Sequence, residues 1–131
     1  MTGDRRGPAV LVVDNNTVTR DSCARILEPD GYRVTTVPDA DAALAAIASS
    51  APDLILLDLY LPDTDGLALI PKIRTLAPGT AIVLITGYRT IDAAIEAMRR
   101  GAADFLPKPF TAGQLRNVVG SVLRRLAGAT D

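Results

Sequence analysis

The chain has 131 residues, 48% hydrophobic and 22% charged, which suits one compact soluble domain with a real core and excludes wholesale disorder. Its 14 basic and 15 acidic side chains leave a net charge of −1, so the domain itself is not expected to bind nucleic acid or an anionic membrane. Histidine is absent, which excludes Ser-His and Cys-His nucleophile pairs, histidine metal ligands and a phosphohistidine carrier.

Residues 1–7 are polar and read as a flexible segment ahead of a domain over residues 8–126. The apolar run 9–13 predicts a strand ending at Asp14-Asn15-Asn16, followed by a helix over about 17–28 that Pro29 and the Asp30-Gly31 turn stop. Within that helix the single cysteine, Cys23, shares a face with Ile26 and Leu27 and reads as core filler. It has no partner for an internal disulfide, in keeping with a reducing, cytoplasmic setting. Residues 33–37 are rich in β-branched side chains and predict a second strand, after which Asp39 caps an Ala-rich helix to about Ser50. The run Leu54-Ile55-Leu56-Leu57 predicts a third strand buried on both faces, ending on Asp58.

A third helix is expected over 67–76, kinked or started late by Pro71. Residues 81–85 predict a fourth strand ending at Thr86-Gly87, and a helix over about 90–100 follows. The helix places Ile91, Ala94, Ile95 and Met98 on one face, with Met98 as core filler, and Gly101 closes it. A short fifth strand over 104–106 leads into Lys108-Pro109-Phe110. The last helix opens on a Thr111…Gln114 capping box and carries Leu115, Val118, Val119, Val122, Leu123 and Leu126 at helical spacing. Residues 127–131 have the composition of a tail or the start of a linker. No apolar run approaches membrane-spanning length, and no signal peptide is read at the start. Strands alternating with helices in this way imply an α/β fold, a parallel sheet covered on both faces.

In such a sheet the residues that follow the strands share one rim, where ligand sites form. Here they are Asp14, Asp58, Thr86 and Lys108, after the first, third, fourth and fifth strands. Two carboxylates with the amide oxygen of Asn15 are hard ligands suited to Mg²⁺. Asp58 is a possible nucleophile toward phosphorus, Lys108 a point charge for phosphoryl oxygens and the Thr86 hydroxyl a donor to another.

The segments Leu11-Val12-Val13-Asp14, Asp58-x-x-Leu61-Pro62-x-x-Asp65-Gly66, Thr86-Gly87 and Lys108-Pro109-Phe110 resemble the receiver (CheY-like) domains of two-component response regulators over nearly the whole chain. The resemblance implies a single (βα)5 flavodoxin-like doubly wound sheet of strand order 2-1-3-4-5. It implies that Asp58 accepts a phosphoryl group from a sensor histidine kinase or phosphotransfer protein. Mg²⁺ would be the cofactor, held by Asp14, Asn15, Asp58 and the backbone carbonyl of Tyr60. Thr86 and Phe105 would be the switch pair, relaying phosphorylation to a surface around the fourth helix. That surface would control an output domain or effector, with a homodimer through the fourth helix, fifth strand and fifth helix among its uses. It also implies a cis Lys108–Pro109 bond. The domain would then be a phosphorelay switch, not an enzyme beyond its self-catalysed phosphoryl transfer and dephosphorylation. Residues 86–110 look most like receivers of transcriptional regulators.

The chain departs from that pattern at Asn15, where receivers usually carry a second acid that touches the metal. Losing that charge is expected to weaken Mg²⁺ binding. Two readings of other classes stay open. One is a pseudo-receiver used only for protein interaction or dimerisation. The other is a phosphatase with an Asp nucleophile, although Tyr60 stands where such enzymes usually carry a second Asp. Whether an output domain follows residue 131 is also open.

Overall fold

The computed structural model describes residues 7–87 and 91–129. Strand β1 (Ala9–Val13) leads to helix α1 (Thr17–Leu27) and a 3-10 turn at Glu28–Asp30. Then come β2 (Arg33–Val37), α2 (Ala40–Ser49), β3 (Leu54–Leu57) and α3 (Gly66–Leu76). The chain continues through β4 (Ala81–Thr86), α4 (Ile91–Arg99), β5 (Asp104–Pro107) and α5 (Ala112–Ala129). All five strands pair in parallel in the order β2-β1-β3-β4-β5, the flavodoxin-like arrangement.

Alternate residues of each central strand bury on opposite faces of the sheet. Leu11, Val13, Ile55, Leu57, Ile82 and Leu84 pack with Ala43, Ile47, Leu69, Ile70, Ile73 and Ala97, so α2, α3 and α4 cover that side. Val10, Val12, Leu54, Leu56, Val83 and Ile85 pack with Cys23, Leu27, Leu115, Val119 and Val122, so α1 and α5 cover the other. Both faces being covered is why β3 and β4 read as unbroken apolar runs.

The expected helix ends are made by side chains. Asn16 accepts from Thr19 N at 3.2 Å and Asp39 from Ala42 N at 2.8 Å. Thr111 N donates to Gln114 Oε1 at 2.8 Å, and Gln114 N to Thr111 Oγ1 at 3.0 Å, closing the capping box in both directions. Gly101 takes φ 116° just past α4, where a left-handed residue is required. The Lys108–Pro109 peptide is cis.

Several elements differ from their expected form. Helix α3 covers the expected 67–76, and of the two expected effects of Pro71 the late start is excluded, since the helix begins at Gly66 and passes through the proline. The Asp65 side chain caps it by accepting from Leu67 N at 3.0 Å. Leu69, Ile70 and Ile73 bury on either side of the proline, and that burial holds the helix across its missing N–H. The core face of α4 is also corrected. Met98 and Ile95 are each 45% exposed, whereas Ala97 is 1% exposed, so Met98 is not core filler. The sheet is approached by the small side chains Ala93 and Ala97, and Met98, one residue and about 100° further round the helix, turns outward. Helix α5 continues to Ala129, so the start of the stretch read as a tail is helical. The polar segment 1–6, the expected helix start at Thr90 and residues 130–131 lie outside the described residues.

This division of the surface is testable by chemical denaturation. Leu56→Ala, in the centre of the sheet with 0% exposure, is expected to cost about 3 kcal/mol. Met98→Ala is expected to cost less than about 0.5 kcal/mol, as for other exposed substitutions.

Candidate functional site at the carboxyl rim

The sheet ladder runs on past the strands and fixes their ends. Asp14 N donates to Val37 O at 3.1 Å and Asp58 N to Val13 O at 3.0 Å. Lys108 N donates to Thr86 O at 2.8 Å, so the rim residues of β1, β3, β4 and β5 are held by backbone geometry. Asp14 and Thr86 are 0% exposed and Asp58 6%, an unusual depth for two acids.

One cation answers both. Lys108 Nζ lies 2.7 Å from Asp14 Oδ2 and 3.4 Å from Asp58 Oδ2, joining residues 94 and 50 positions away in the chain. The remaining oxygens are met by main-chain donors: Asn16 N to Asp14 Oδ1 at 2.8 Å and Tyr60 N to Asp58 Oδ1 at 3.3 Å. Burial pushes the Asp58 carboxyl above its ordinary pKa, and the neighbouring Asp14 charge adds to the rise. Lys108 and the Tyr60 amide only partly offset it. The cluster thus has two carboxylates for one ammonium.

The donor set fits a hard divalent cation. The carboxylates are adjacent and buried, and burial, followed by the Asp14 charge, disfavours the Asp58 anion. Asn15 is exposed and lines an open cleft of ≈ 800 Å³ with Leu59, Tyr60, Leu61, Pro62, Asp63, Thr64, Asp65, Leu67 and Ala93. Two acids of this cleft are engaged as helix caps: Asp63 accepts from Ala40 N and Asp41 N, and Asp65 from Leu67 N. Among the described residues no group of three or more acids or cysteines is placed to hold a metal. A cation here would be held by two carboxylates and neutral oxygens.

The structure therefore brings Asp14, Asp58 and Lys108 into direct contact, with Thr86 on the same rim and Asn15 and Tyr60 on the adjoining cleft. Phe105 stands apart from the ion cluster. It pairs with Leu84 and is partly buried on the face that Thr86 shares by alternation, under the α2–α4 layer. Gly66 explains the Asp65-Gly66 pair: a Cβ there would lie 2.6 Å from Asp58 O and from Leu59 Cα, so only glycine lets α3 start against the strand end. Cys23 is core filler as expected, and burial, followed by the Asp14 charge, pushes its thiol up to about 12.

Arg20 and Asp63 were not singled out by sequence. Arg20 Nη1 donates to the Asp14 carbonyl at 2.7 Å and Nη2 to Thr17 Oγ1 at 3.2 Å, clamping the loop after β1. Its spacing of six from Asp14 was the available signal.

Among the described residues no helix is long and apolar enough to cross a membrane. The chain is 40% identical over 119 residues to the nitrogen assimilation regulatory protein NtrX of Azorhizobium caulinodans, covering 89% of this chain and 26% of that protein. Against the crystal structure of NtrX from Brucella abortus it has a TM-score of 0.90 at 41% identity, covering 94% of this chain and 29% of that one. A response regulator from Burkholderia pseudomallei, solved with a phosphorylated aspartic acid, a calcium ion and citrate, superposes with a TM-score of 0.82 at 30% identity, covering 95% and 73%. The chain spans about a quarter of the length of NtrX and of the other curated relatives FleR and NtrC. The family model of the response regulator receiver domain matches residues 10–120. With that match, the flavodoxin-like sheet and an Asp–Asp–Lys cluster at its carboxyl rim, the chain belongs to the receiver domain family of response regulators.

Proposed function

We propose that this domain is a phosphoacceptor switch in which Asp58 takes a phosphoryl group from a phosphohistidine of a sensor kinase or phosphotransfer protein. The observation that carries the reading is the Lys108 ammonium shared between buried Asp14 and Asp58. Burial and the Asp14 charge, offset only in part by Lys108, leave Asp58 a carboxylate of raised pKa at the carboxyl rim. In the transfer an Asp58 oxygen attacks phosphorus. The P–N bond breaks as the P–O bond forms, and the imidazole leaves with the electron pair and takes up a proton. Lys108 neutralises one phosphoryl oxygen and the Thr86 hydroxyl donates to another. Asp14, Asp58, the Asn15 amide oxygen and the Tyr60 carbonyl would hold Mg²⁺, which when bound would neutralise charge on the transferring group. The Burkholderia pseudomallei regulator, solved with a phosphorylated aspartic acid and a calcium ion, supports this chemistry for a chain of similar fold.

Thr86 and Phe105 lie on adjacent strands under the α2–α4 layer, which supports their role as the relay toward α4. The exposed Ile95 and Met98 supply the apolar surface that α4 would offer an output domain, an effector or a second copy through α4, β5 and α5. The similarity to NtrC, a DNA-binding transcriptional regulator in Salmonella typhimurium, favours a transcriptional output.

Incubation with acetyl phosphate and Mg²⁺ is expected to add one phosphoryl group, seen by intact mass. The adduct should be lost without Mg²⁺ and in Asp58→Asn. A protein that takes no adduct and binds no beryllofluoride at high Mg²⁺ would instead be a pseudo-receiver acting as an interaction module, the reading that Asn15 favours. Restoring the acid with Asn15→Asp is expected to tighten Mg²⁺ binding about tenfold, ~1.4 kcal/mol, in a calorimetric titration. The Asp58 shift also predicts a pH dependence. Because folding raises this carboxyl above its ordinary 3.8, its favourable contribution is complete below that value and is lost as pH rises through the folded-state pKa. At neutral pH without metal, Asp58→Asn should therefore melt above the wild type, and its advantage should shrink as pH falls toward 3.8.

A further inference from the structure

Helix α2 is capped by carboxylates from two segments. Asp39 accepts from Ala42 N at 2.8 Å, as an N-cap does. Asp63, in the loop between β3 and α3, accepts from Ala40 N and from Asp41 N at 3.0 Å each. Three N–H groups of the first turn are thus spent on acids, and the second acid arrives from 23 positions along the chain. Within the loop and its own helix lie the Gly66 N to Leu59 O bond at 2.8 Å, the Tyr60–Asp65 bridge and the Asp65 cap. The Asp63 bonds reach a different element.

That element lies on the other side of the rim. Helix α2 opens just after Val37, whose carbonyl receives Asp14 N at 3.1 Å. The connection Asp63–α2–Val37 therefore links the loop after Asp58 to the strand end that carries Asp14, the two acids that repel each other. The Ala40 amide, with that of Asp41, also holds the Asp63 carboxyl below its ordinary pKa, so the tie stays ionised at neutral pH.

We propose that Asp63 is a positioning residue: by binding the amino end of α2 it fixes the loop that carries Tyr60, and so sets how strongly the rim holds a divalent cation. The inference rests on the reading of the rim as a metal-assisted phosphoacceptor site. Two segments that supply oxygens to one ion bind it best when their spacing is set beforehand, and supports of this kind are worth about tenfold or more in metal affinity.

The test compares Asp63→Ala, Asp63→Asn and Asp39→Ala in the full chain. Asp39→Ala removes the other cap of the same helix without touching the loop, and so reports what lost α2 stability does alone. Amide hydrogen exchange over residues 59–66 is measured without metal, and Mg²⁺ affinity by calorimetry. Asp63→Ala is expected to speed exchange in the loop and weaken Mg²⁺ binding about tenfold. Asp63→Asn, which keeps one oxygen acceptor, should recover part of both. Asp39→Ala should lower the denaturation midpoint and leave Mg²⁺ affinity unchanged. Wild-type affinity in Asp63→Ala, or an equal loss in Asp39→Ala, overturns the positioning role while the phosphoacceptor reading stands. A wild-type protein that binds no Mg²⁺ overturns both.

Discussion

One ammonium shared by two buried carboxylates is the constraint on which the rim depends. Asp14 is wholly buried and Asp58 nearly so, and neither would persist there as an anion without a counter-charge. Lys108 supplies it from the far end of the chain, at 2.7 Å and 3.4 Å. Burial and the Asp14 charge still hold the Asp58 carboxyl above its ordinary pKa, and Lys108 offsets them only in part. Two buried acids facing one ammonium are the condition under which a carboxylate gains from a further cation.

Backbone geometry makes that imbalance sustainable. Main-chain bonds to Val37, Val13 and Thr86 extend the parallel ladder to the rim residues, so the acids cannot swing apart to relieve their repulsion. Gly66 lets α3 start against the backbone of Asp58 and Leu59, while Arg20 and Asp63 tie the two acid-bearing loops to helices α1 and α2. The repulsion between the two acids is thus opposed by elements whose own stability comes from the two apolar layers beneath them.

The same layers decide what the domain leaves exposed. Among its described side chains, helix α4 meets the core through Ala93 and Ala97, which bury little area compared with the Leu and Ile anchors of α3. A helix held by so small a footing turns its larger apolar residues outward, and the exposed Ile95 and Met98 follow from that.

Much of this was legible in the chain. Apolar runs and turn residues located the strands, and the alternation of strand and helix required a parallel sheet. That in turn placed Asp14, Asp58, Thr86 and Lys108 on one rim. These are consequences of local pattern and of the few topologies that bury it. The sequence did not determine which face of α4 would be covered, because the periodicity of Ile91, Ala94, Ile95 and Met98 is satisfied equally by a core or by a partner. Only the approach of α4 to the sheet, at Ala97, chose between them. Nor did it reveal the tie from Asp63 to α2, since a carboxylate that caps a distant helix leaves no mark in its neighbours. The helix through Pro71 was settled by burial on either side of it, against local propensity. Local sequence determined the elements and the chemistry at their ends; packing decided which faces and which long-range contacts those elements would use, because that depends on the whole sheet being assembled.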